Sequence, residues 1–195
     1  MGALLEWDAG VLLWIQENMR TDLMTTIMKG ITRLGNGGCL WIALAVVLLV
    51  IGKTRKVGAM SVLSLIITFV TVNLGIKNIV ARTRPYEVID GLVNLVEKQS
   101  DFSFPSGHSA HAFAVGVVLL VMLPRKFGVP IFIISILMAY SRLYIGVHYP
   151  TDVIAGVLLG TIIAFISMFI VNKICDKWHK RNKALEEAEA TEQMD

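Results

Sequence analysis

Long runs without a charged residue occupy the middle of the chain and predict membrane-spanning helices. The five runs that lack Asp, Glu, Lys and Arg are 34–52, 57–76, 102–124, 127–141 and 153–172. A helix needs about 20 residues to cross the hydrocarbon core of a bilayer. The run at 127–141 reaches that length only if its helix continues through Arg142 to residue 147. An ionisable residue inside a span is costly, so Arg142 is a candidate functional residue.

The first 33 residues follow a different pattern, in which apolar residues recur every three or four positions between charged ones. This period predicts an amphipathic helix or a pair of helices. Seven charges argue against a sixth span here, so we expect the segment to lie in the outer interface, anchored by Trp7 and Trp14. A helix packed on a soluble partner is the alternative. The predicted fold is all-α: a polytopic membrane helical bundle of five to six transmembrane helices with an N-terminal amphipathic interfacial helix.

Basic residues in the connections predict which way this bundle faces. The segments 53–56 and 125–126 each join two predicted spans and are rich in Lys and Arg, and a third basic cluster at 173–183 follows the last predicted span. Cytoplasmic loops carry an excess of these residues, so we expect all three segments inside. The segments 77–101 and 147–152 are then expected on the outer side of the membrane.

Composition agrees with one membrane domain. Hydrophobic residues make up 55% of the 195 residues and charged residues 17%, with a mean hydropathy of +0.66. Soluble domains contain about 45–50% hydrophobic and about 25% charged residues. A net charge of +3 is too small and too dispersed for a nucleic-acid surface. We expect a single domain over 1–195, with interfacial helices at 1–33, a transmembrane core at 34–172 and a cytoplasmic tail at 173–195.

Polar residues that do not suit a lipid-facing helix fall at the outer ends of the predicted spans. They are Lys77, Arg84, Ser106, Gly107, His108, Arg142, His148 and Asp152. The start of a helix presents free backbone N–H groups, and a glycine lets an anion approach them. Arginine and lysine side chains bind phosphate oxygens. The pattern predicts a site for a phosphoryl group, in which Arg82 is either a phosphate or headgroup contact or an interfacial charge.

Two histidines give this site its chemistry. Asp152 follows His148 by four residues and can accept a hydrogen bond from one ring nitrogen, which leaves the other nitrogen unprotonated as a nucleophile. His108 has no carboxylate at short spacing and suits a general acid that protonates the leaving oxygen. A metal site built from His108, His111, His148 and Asp152 is the rival interpretation that the spacing permits. Three cations directed at the same place disfavour a bound dication.

At these residues the chain resembles the type 2 phosphatidic acid phosphatase family, the membrane relatives of the vanadium haloperoxidases. Three motifs carry the resemblance: Lys77-x6-Arg84-Pro85, Pro105-Ser106-Gly107-His108 and Ser141-Arg142-x5-His148-x3-Asp152. The resemblance implies that His148 attacks phosphorus to form a phosphohistidine and that Asp152 orients it. His108 would protonate the leaving group and then activate water.

The resemblance also implies which groups hold the phosphoryl oxygens: Lys77, Arg84, Arg142, the Ser106 hydroxyl and the Gly107 amide. It implies no metal or other cofactor. The implied substrate is a lipid phosphate in the bilayer of a bacterial cell membrane. We place undecaprenyl diphosphate first, because an outward-facing site would meet the carrier lipid released by wall synthesis. Phosphatidylglycerophosphate and phosphatidic acid are the alternatives.

Two functions from other classes stay open at this point. A lipid-phosphate binding or transport protein would use the same cations but would not need His148 or Asp152. A vanadate-dependent oxidant enzyme shares the constellation, and the five predicted spans argue against it.

Overall fold

The fold was described from a computed structural model, which covers residues 2–192 and the side chains as far as residue 187. The α-helices are α1 (Ala3–Met19), α2 (Asp22–Leu34), α3 (Cys39–Val50), α4 (Arg55–Thr68), α5 (Lys77–Val80), α6 (Pro85–Val88), α7 (Gly107–Met122), α8 (Arg125–Tyr144) and α9 (Pro150–Glu192). A π-helical segment, Phe69–Ile76, joins α4 to α5. The range contains no strand, so the predicted all-helical fold is confirmed.

Three helical segments are long and apolar enough to cross a membrane: Gly52–Val88, Arg125–Tyr144 and Pro150–Glu187. A fourth span is possible if Asp22–Leu34 and Asn36–Val50, which meet at a bend of 50°, count as one. Helix α7 is apolar but has only 16 residues, or about 24 Å, against a hydrocarbon core of about 30 Å. The chain is thus a multi-pass membrane protein, while the count of five to six spans stays a prediction.

Two predicted boundaries differ from the structure for local reasons. The predicted third span starts at residue 102, but α7 starts at Gly107, where the Ser106 hydroxyl caps the helix by accepting from Ser109 N. The predicted fourth span reaches residue 147, but α8 ends at Tyr144. Gly146 then takes a φ of 79°, which glycine adopts without strain, and turns the chain towards the second histidine motif. The predicted tail at 173–195 continues α9 as far as residue 192, and its last residues lie outside the described range.

Close packing of α7 against α9 sets the position of the motifs. Two glycines of α9 lie directly against the α7 backbone. A Cβ on Gly156 would lie 2.6 Å from Ser106 O, and one on Gly160 would lie 2.3 Å from Ala110 O. Where both helices begin, Ser106 N donates to Asp152 O at 3.0 Å. The start of α7 and the start of α9 are therefore fixed side by side.

The first two helices form the predicted amphipathic pair, and they pack on the same end of the bundle. Helix α1 buries Asp8, Leu12 and Ile15 on one face and leaves Trp7 and Trp14 exposed. Its placement in the outer interface stays a prediction. These contacts bring α1 and α2 next to the motifs.

Candidate active site

The three motifs meet around one cavity of about 470 Å³. Six of the eight predicted site residues line it: Lys77, Arg84, Gly107, His108, Arg142 and His148. Asp152 and Ser106 lie behind the wall of the cavity. Ser106 uses its hydroxyl on Ser109 within the helix cap, so its predicted contact with a phosphoryl oxygen stays a prediction.

The three cations of the cavity are held in place while buried. Lys77 and Arg84 are each 4% exposed, and Arg142 is 2% exposed. Arg142 Nη1 donates to the Thr32 hydroxyl of α2, and its Nε is buried without a hydrogen-bond partner among the described residues. Arg84 Nη1 donates to Val147 O at 2.8 Å. Such a group of fixed, desolvated donors suits a multiply charged anion.

Asp101, in the loop that precedes α7, forms ion pairs with two of these cations. Its carboxylate pairs with Lys77 Nζ and accepts from Arg84 Nη2 at 2.5 Å, while its backbone oxygen accepts from Arg84 Nε at 3.0 Å. Burial opposes ionisation, but the hydrogen bond and charge of Lys77 and the charge of Arg84 outweigh it and lower the pKa of Asp101 to about 2. The sequence interpretation missed this residue, although its place just before a predicted span put it at the membrane level of the motifs.

His148 lies fully within the wall between Arg84 and Asp152. Its Nε2 is 3.2 Å from Arg84 Nη1, and its Nδ1 is 3.5 Å from Asp152 Oδ2. The Ser103 hydroxyl, also missed from the sequence, donates to Asp152 Oδ2 and lies 3.5 Å from His148 Nδ1. Burial, followed by the nearby charges of Arg84 and Arg142, lowers the pKa of His148 well below its ordinary value. A neutral imidazole is the nucleophilic form, and it is lost only as the pH falls below that lowered pKa.

The second histidine reaches the cavity from the first turn of α7. His108 Nε2 is 3.2 Å from the Asn36 Oδ1 atom, in the turn between α2 and α3. A Cβ on Gly35 would lie 2.7 Å from His108 Cδ2, so the glycine allows the ring to fit there. His111, one turn further, directs its Nδ1 to Gly107 O at 2.8 Å. Among the side chains that the structure describes, residues 2–187, no three of His, Cys, Asp or Glu are grouped so that they could hold a metal ion.

An apolar groove of about 430 Å³ continues from the cavity between α3 and α4. The two spaces share Gly37, Gly38, Phe69 and His111. The remaining lining is aliphatic: Ile42, Ala45, Val46, Val62, Leu65 and Ile66. A polar, cationic pocket thus opens into a hydrocarbon-lined groove on apolar helices.

The fold and the site define a class: a multi-pass helical membrane protein with a cationic cavity that holds two histidines. Residues 58–175, more than half of the chain, match the family model described as the PAP2 superfamily. The chain therefore belongs to the PAP2 superfamily, as the motifs predicted.

Known proteins of this superfamily resemble the chain in sequence and in structure. It is 38% identical over 130 residues to an undecaprenyl-diphosphatase of Sulfolobus acidocaldarius, which covers 67% of this chain and 63% of that relative. It also covers 48% of a lipid A 4'-phosphatase of Bacteroides thetaiotaomicron at 32% identity and 42% of the undecaprenyl-diphosphatase BcrC of Bacillus subtilis at 36% identity, so the chain spans less than two thirds of the length of each of these three relatives.

Two crystal structures share the fold. LpxE of Aquifex aeolicus superposes with a TM-score of 0.72 at 28% identity, over 86% of this chain and 96% of that one. A transmembrane PAP2-type phosphatidylglycerolphosphate phosphatase of Bacillus subtilis superposes with a TM-score of 0.70 at 26% identity, over 91% and 88%.

Proposed function

We propose that this protein is a lipid phosphatase that hydrolyses a terminal phosphate of a membrane lipid through a phosphohistidine at His148. One observation carries the proposal: three buried cations and two histidines share a single cavity that opens into an apolar groove. A protein that only binds lipid phosphates has no use for a buried imidazole backed by a carboxylate. The pairing of His148 with Asp152 therefore favours catalysis over binding or transport.

In the first step, His148 Nε2 attacks phosphorus and the bond between phosphorus and the lipid oxygen breaks. The electron pair of that bond goes to the leaving oxygen, which takes a proton from His108. The Asp152 carboxylate lies beside Nδ1 of His148 and stabilises the positive charge that the ring gains, while the Nδ1 proton stays on the ring. Lys77, Arg84, Arg142 and the Gly107 amide hold the phosphoryl oxygens, on which charge builds up.

In the second step, His108 takes a proton from water while the water oxygen attacks the phosphohistidine. The bond between phosphorus and Nε2 breaks, phosphate leaves, and His148 returns to its neutral form. The lowered pKa of His148 supports this cycle, because the free enzyme then presents an unprotonated nucleophile at neutral pH. No step in this cycle needs a metal ion.

The groove supports a lipid as the substrate. Its aliphatic lining would hold the hydrocarbon next to the headgroup while the terminal phosphate enters the cavity. We propose undecaprenyl diphosphate as the first candidate, supported by the name of the relative from Sulfolobus acidocaldarius. Phosphatidylglycerophosphate follows, supported by the name of the Bacillus subtilis structure, and phosphatidic acid is the third candidate.

The basic segments support an orientation in a bacterial plasma or inner membrane. The connections 53–56 and 125–126 lie at the ends of their helices that are away from the cavity, and the stretch 173–183 of α9 is basic too. We propose that these ends face the cytoplasm and that the cavity opens on the outer face.

Phosphate release by the full-length protein in detergent tests the function. Undecaprenyl diphosphate, phosphatidylglycerophosphate and phosphatidic acid would be compared in EDTA, with His148→Ala and with His179→Ala as a control for an exposed histidine on α9. We expect release that survives EDTA, is lost in His148→Ala and persists in His179→Ala. A folded native protein that releases phosphate from none of these lipids would support the binding or transport function instead.

Asp101 should compete with phosphate for the site. Replacing it with asparagine is expected to lower the inhibition constant of inorganic phosphate about two- to fivefold, the size of a partly exposed ion pair. The reason is that Lys77 and Arg84 lose an anionic partner which an incoming phosphate otherwise displaces. Inhibition by phosphate would be measured against Glu97→Gln, an acidic residue of the same loop. Weaker inhibition in Asp101→Asn would mean that the carboxylate organises the cations rather than competes for them.

A further inference from the structure

Behind the cavity, Arg82 lies between two buried carboxylates from distant parts of the chain. Its Nη1 donates to Asp152 Oδ1 at 2.6 Å, and its Nη2 donates to Asp8 Oδ2 at 2.7 Å. Both carboxylates are 0% exposed, and the Arg82 side chain is 24% exposed. The guanidinium is thus fixed from both sides, and it does not line the phosphate cavity. Neither role considered for Arg82 from the sequence describes these contacts.

Asp8 also ties helix α1 to the start of α9. Its Oδ1 accepts from Thr151 N at 3.0 Å, and its Oδ2 accepts from the Thr151 hydroxyl at 2.6 Å. The Arg82 guanidinium lies 3.7 Å from the centre of the Tyr149 ring. Burying an ionised carboxylate is unfavourable unless it is paired and hydrogen-bonded. Here the partners of the buried Asp8 are Arg82, which binds Asp152, and Thr151, which precedes Asp152 in the chain.

The contact with Arg82 decides which oxygen of Asp152 faces the histidine. Oδ1 is used by Arg82, so Oδ2 is the atom that accepts from Tyr149 N at 3.0 Å and from the Ser103 hydroxyl. The same Oδ2 lies 3.5 Å from His148 Nδ1. Without Arg82, the carboxylate could rotate about its own axis and would lack its buried counter-ion. Arg82 thus contacts the carboxylate beside the His148 ring without touching the ring itself.

We propose that Arg82 and Asp8 are positioning residues, which hold Asp152 and through it the nucleophilic nitrogen of His148. The inference rests on the proposed phosphatase function and extends it. It makes the amphipathic helix α1 a part of the active site rather than only a membrane anchor. Asp8, near the start of the chain, then supports the chemistry of the motif that ends at Asp152.

The expected effects fall on turnover, because neither residue lines the cavity. Arg82→Gln should lower kcat about 100-fold and Asp8→Asn about tenfold, with KM within about twofold of the native value. Arg82→Lys keeps the charge but lacks the fork that reaches two carboxylates, so it should recover only part of kcat. The double variant Asp8→Asn, Arg82→Gln should resemble Arg82→Gln alone, because both residues act through one contact. Glu6→Gln, on the exposed face of α1, is the matched control.

The pH profile separates positioning from a merely structural role. The charged and titratable groups around Asp152 and His148 are Lys77, Arg82, Arg84, Asp101, His108, Arg142 and Tyr149, with Asp8 behind Arg82. Removing the cation in Arg82→Gln should raise the proton affinity of the pair and move the acid limb of kcat/KM to higher pH. Removing an anion in Asp8→Asn should move it slightly to lower pH. A loss of packing alone would not shift the limb in opposite directions.

Melting temperature and elution volume in detergent would be recorded for every variant. Arg82→Gln and Asp8→Asn that fold and turn over like the native protein would overturn the inference. So would a loss of activity that follows the fraction of unfolded protein, with an unchanged pH profile in the folded remainder. If Arg82→Gln does not fold, Asp8→Asn, which keeps the size of the side chain, carries the test. Failure of the proposed function itself would show differently, as activity that persists in His148→Ala or as a folded native protein that releases no phosphate.

Discussion

Replacing His148 with alanine is expected to lower kcat/KM about 10⁴-fold or more for every lipid phosphate that the protein hydrolyses. The imidazole supplies the atom that attacks phosphorus, and no described side chain lies where it could replace the buried Nε2 between Arg84 and the cavity. The residue lies in the connection between α8 and α9, so its loss should leave the helices of the bundle in place. Phosphate release by a protein of native elution volume is the measurement.

Binding should survive in the same variant. Lys77, Arg84 and Arg142 remain, and Arg84 keeps its contact with Val147 O. Inorganic phosphate should therefore still bind, with an affinity within a few-fold of the native value, as measured by its protection against thermal unfolding. Activity in His148→Ala close to that of His179→Ala would contradict the phosphohistidine and would leave the cavity as a binding site.

The helices were predictable because the bilayer imposes a simple pattern on the sequence. Charge-free runs of about 20 residues report the hydrocarbon thickness directly, and the structure contains helices in all five. The first and last residues of these helices were harder to predict from the sequence. The start of α7 depends on the cap at Ser106, and the end of α8 depends on Gly146 with its φ of 79°. Neither feature changes hydropathy, so a run of apolar residues does not reveal it.

The sequence predicted those residues of the cavity that belong to short motifs. Once the motifs fall at one membrane level, six of the predicted residues line one cavity. Asp101 and Ser103 were missed because each acts on a partner from another part of the chain. The pair of Asp8 and Arg82 is 74 positions apart and joins a segment that the pattern assigns to the membrane surface. Such pairs depend on how helices pack, which spacing along one helix does not encode.

Ser103 shows why the spacing of His148 and Asp152 was informative but incomplete. Four residues separate the two, and the structure brings Nδ1 and Oδ2 to 3.5 Å, longer than a good hydrogen bond. The Ser103 hydroxyl lies beside both atoms and donates to the carboxylate. The spacing correctly predicted that His148 and Asp152 lie together. Ser103, which lies beside both, comes from the loop before α7 and was not predictable from that spacing.

The second large effect is expected for His108, and it differs in kind from that of His148. Replacing His108 with alanine should lower lipid hydrolysis about 10²- to 10⁴-fold, the usual contribution of a general acid. The residue has two tasks in the proposed cycle, proton donation to the leaving oxygen and proton removal from water. A substrate with a good leaving group, such as p-nitrophenyl phosphate, needs only the second task.

With that substrate, His108→Ala should still form the phosphohistidine but should hydrolyse it slowly, so that the covalent intermediate accumulates. Its signature is protein-bound phosphate that is stable in alkali and released in acid, present in His108→Ala and absent in the double variant with His148→Ala. The native protein should show little of it, because water attacks as soon as His108 accepts a proton. If His108→Ala carries no protein-bound phosphate and turns over p-nitrophenyl phosphate at the native rate, another group activates the water. His108, 3.2 Å from Asn36 Oδ1, would then serve only the leaving group.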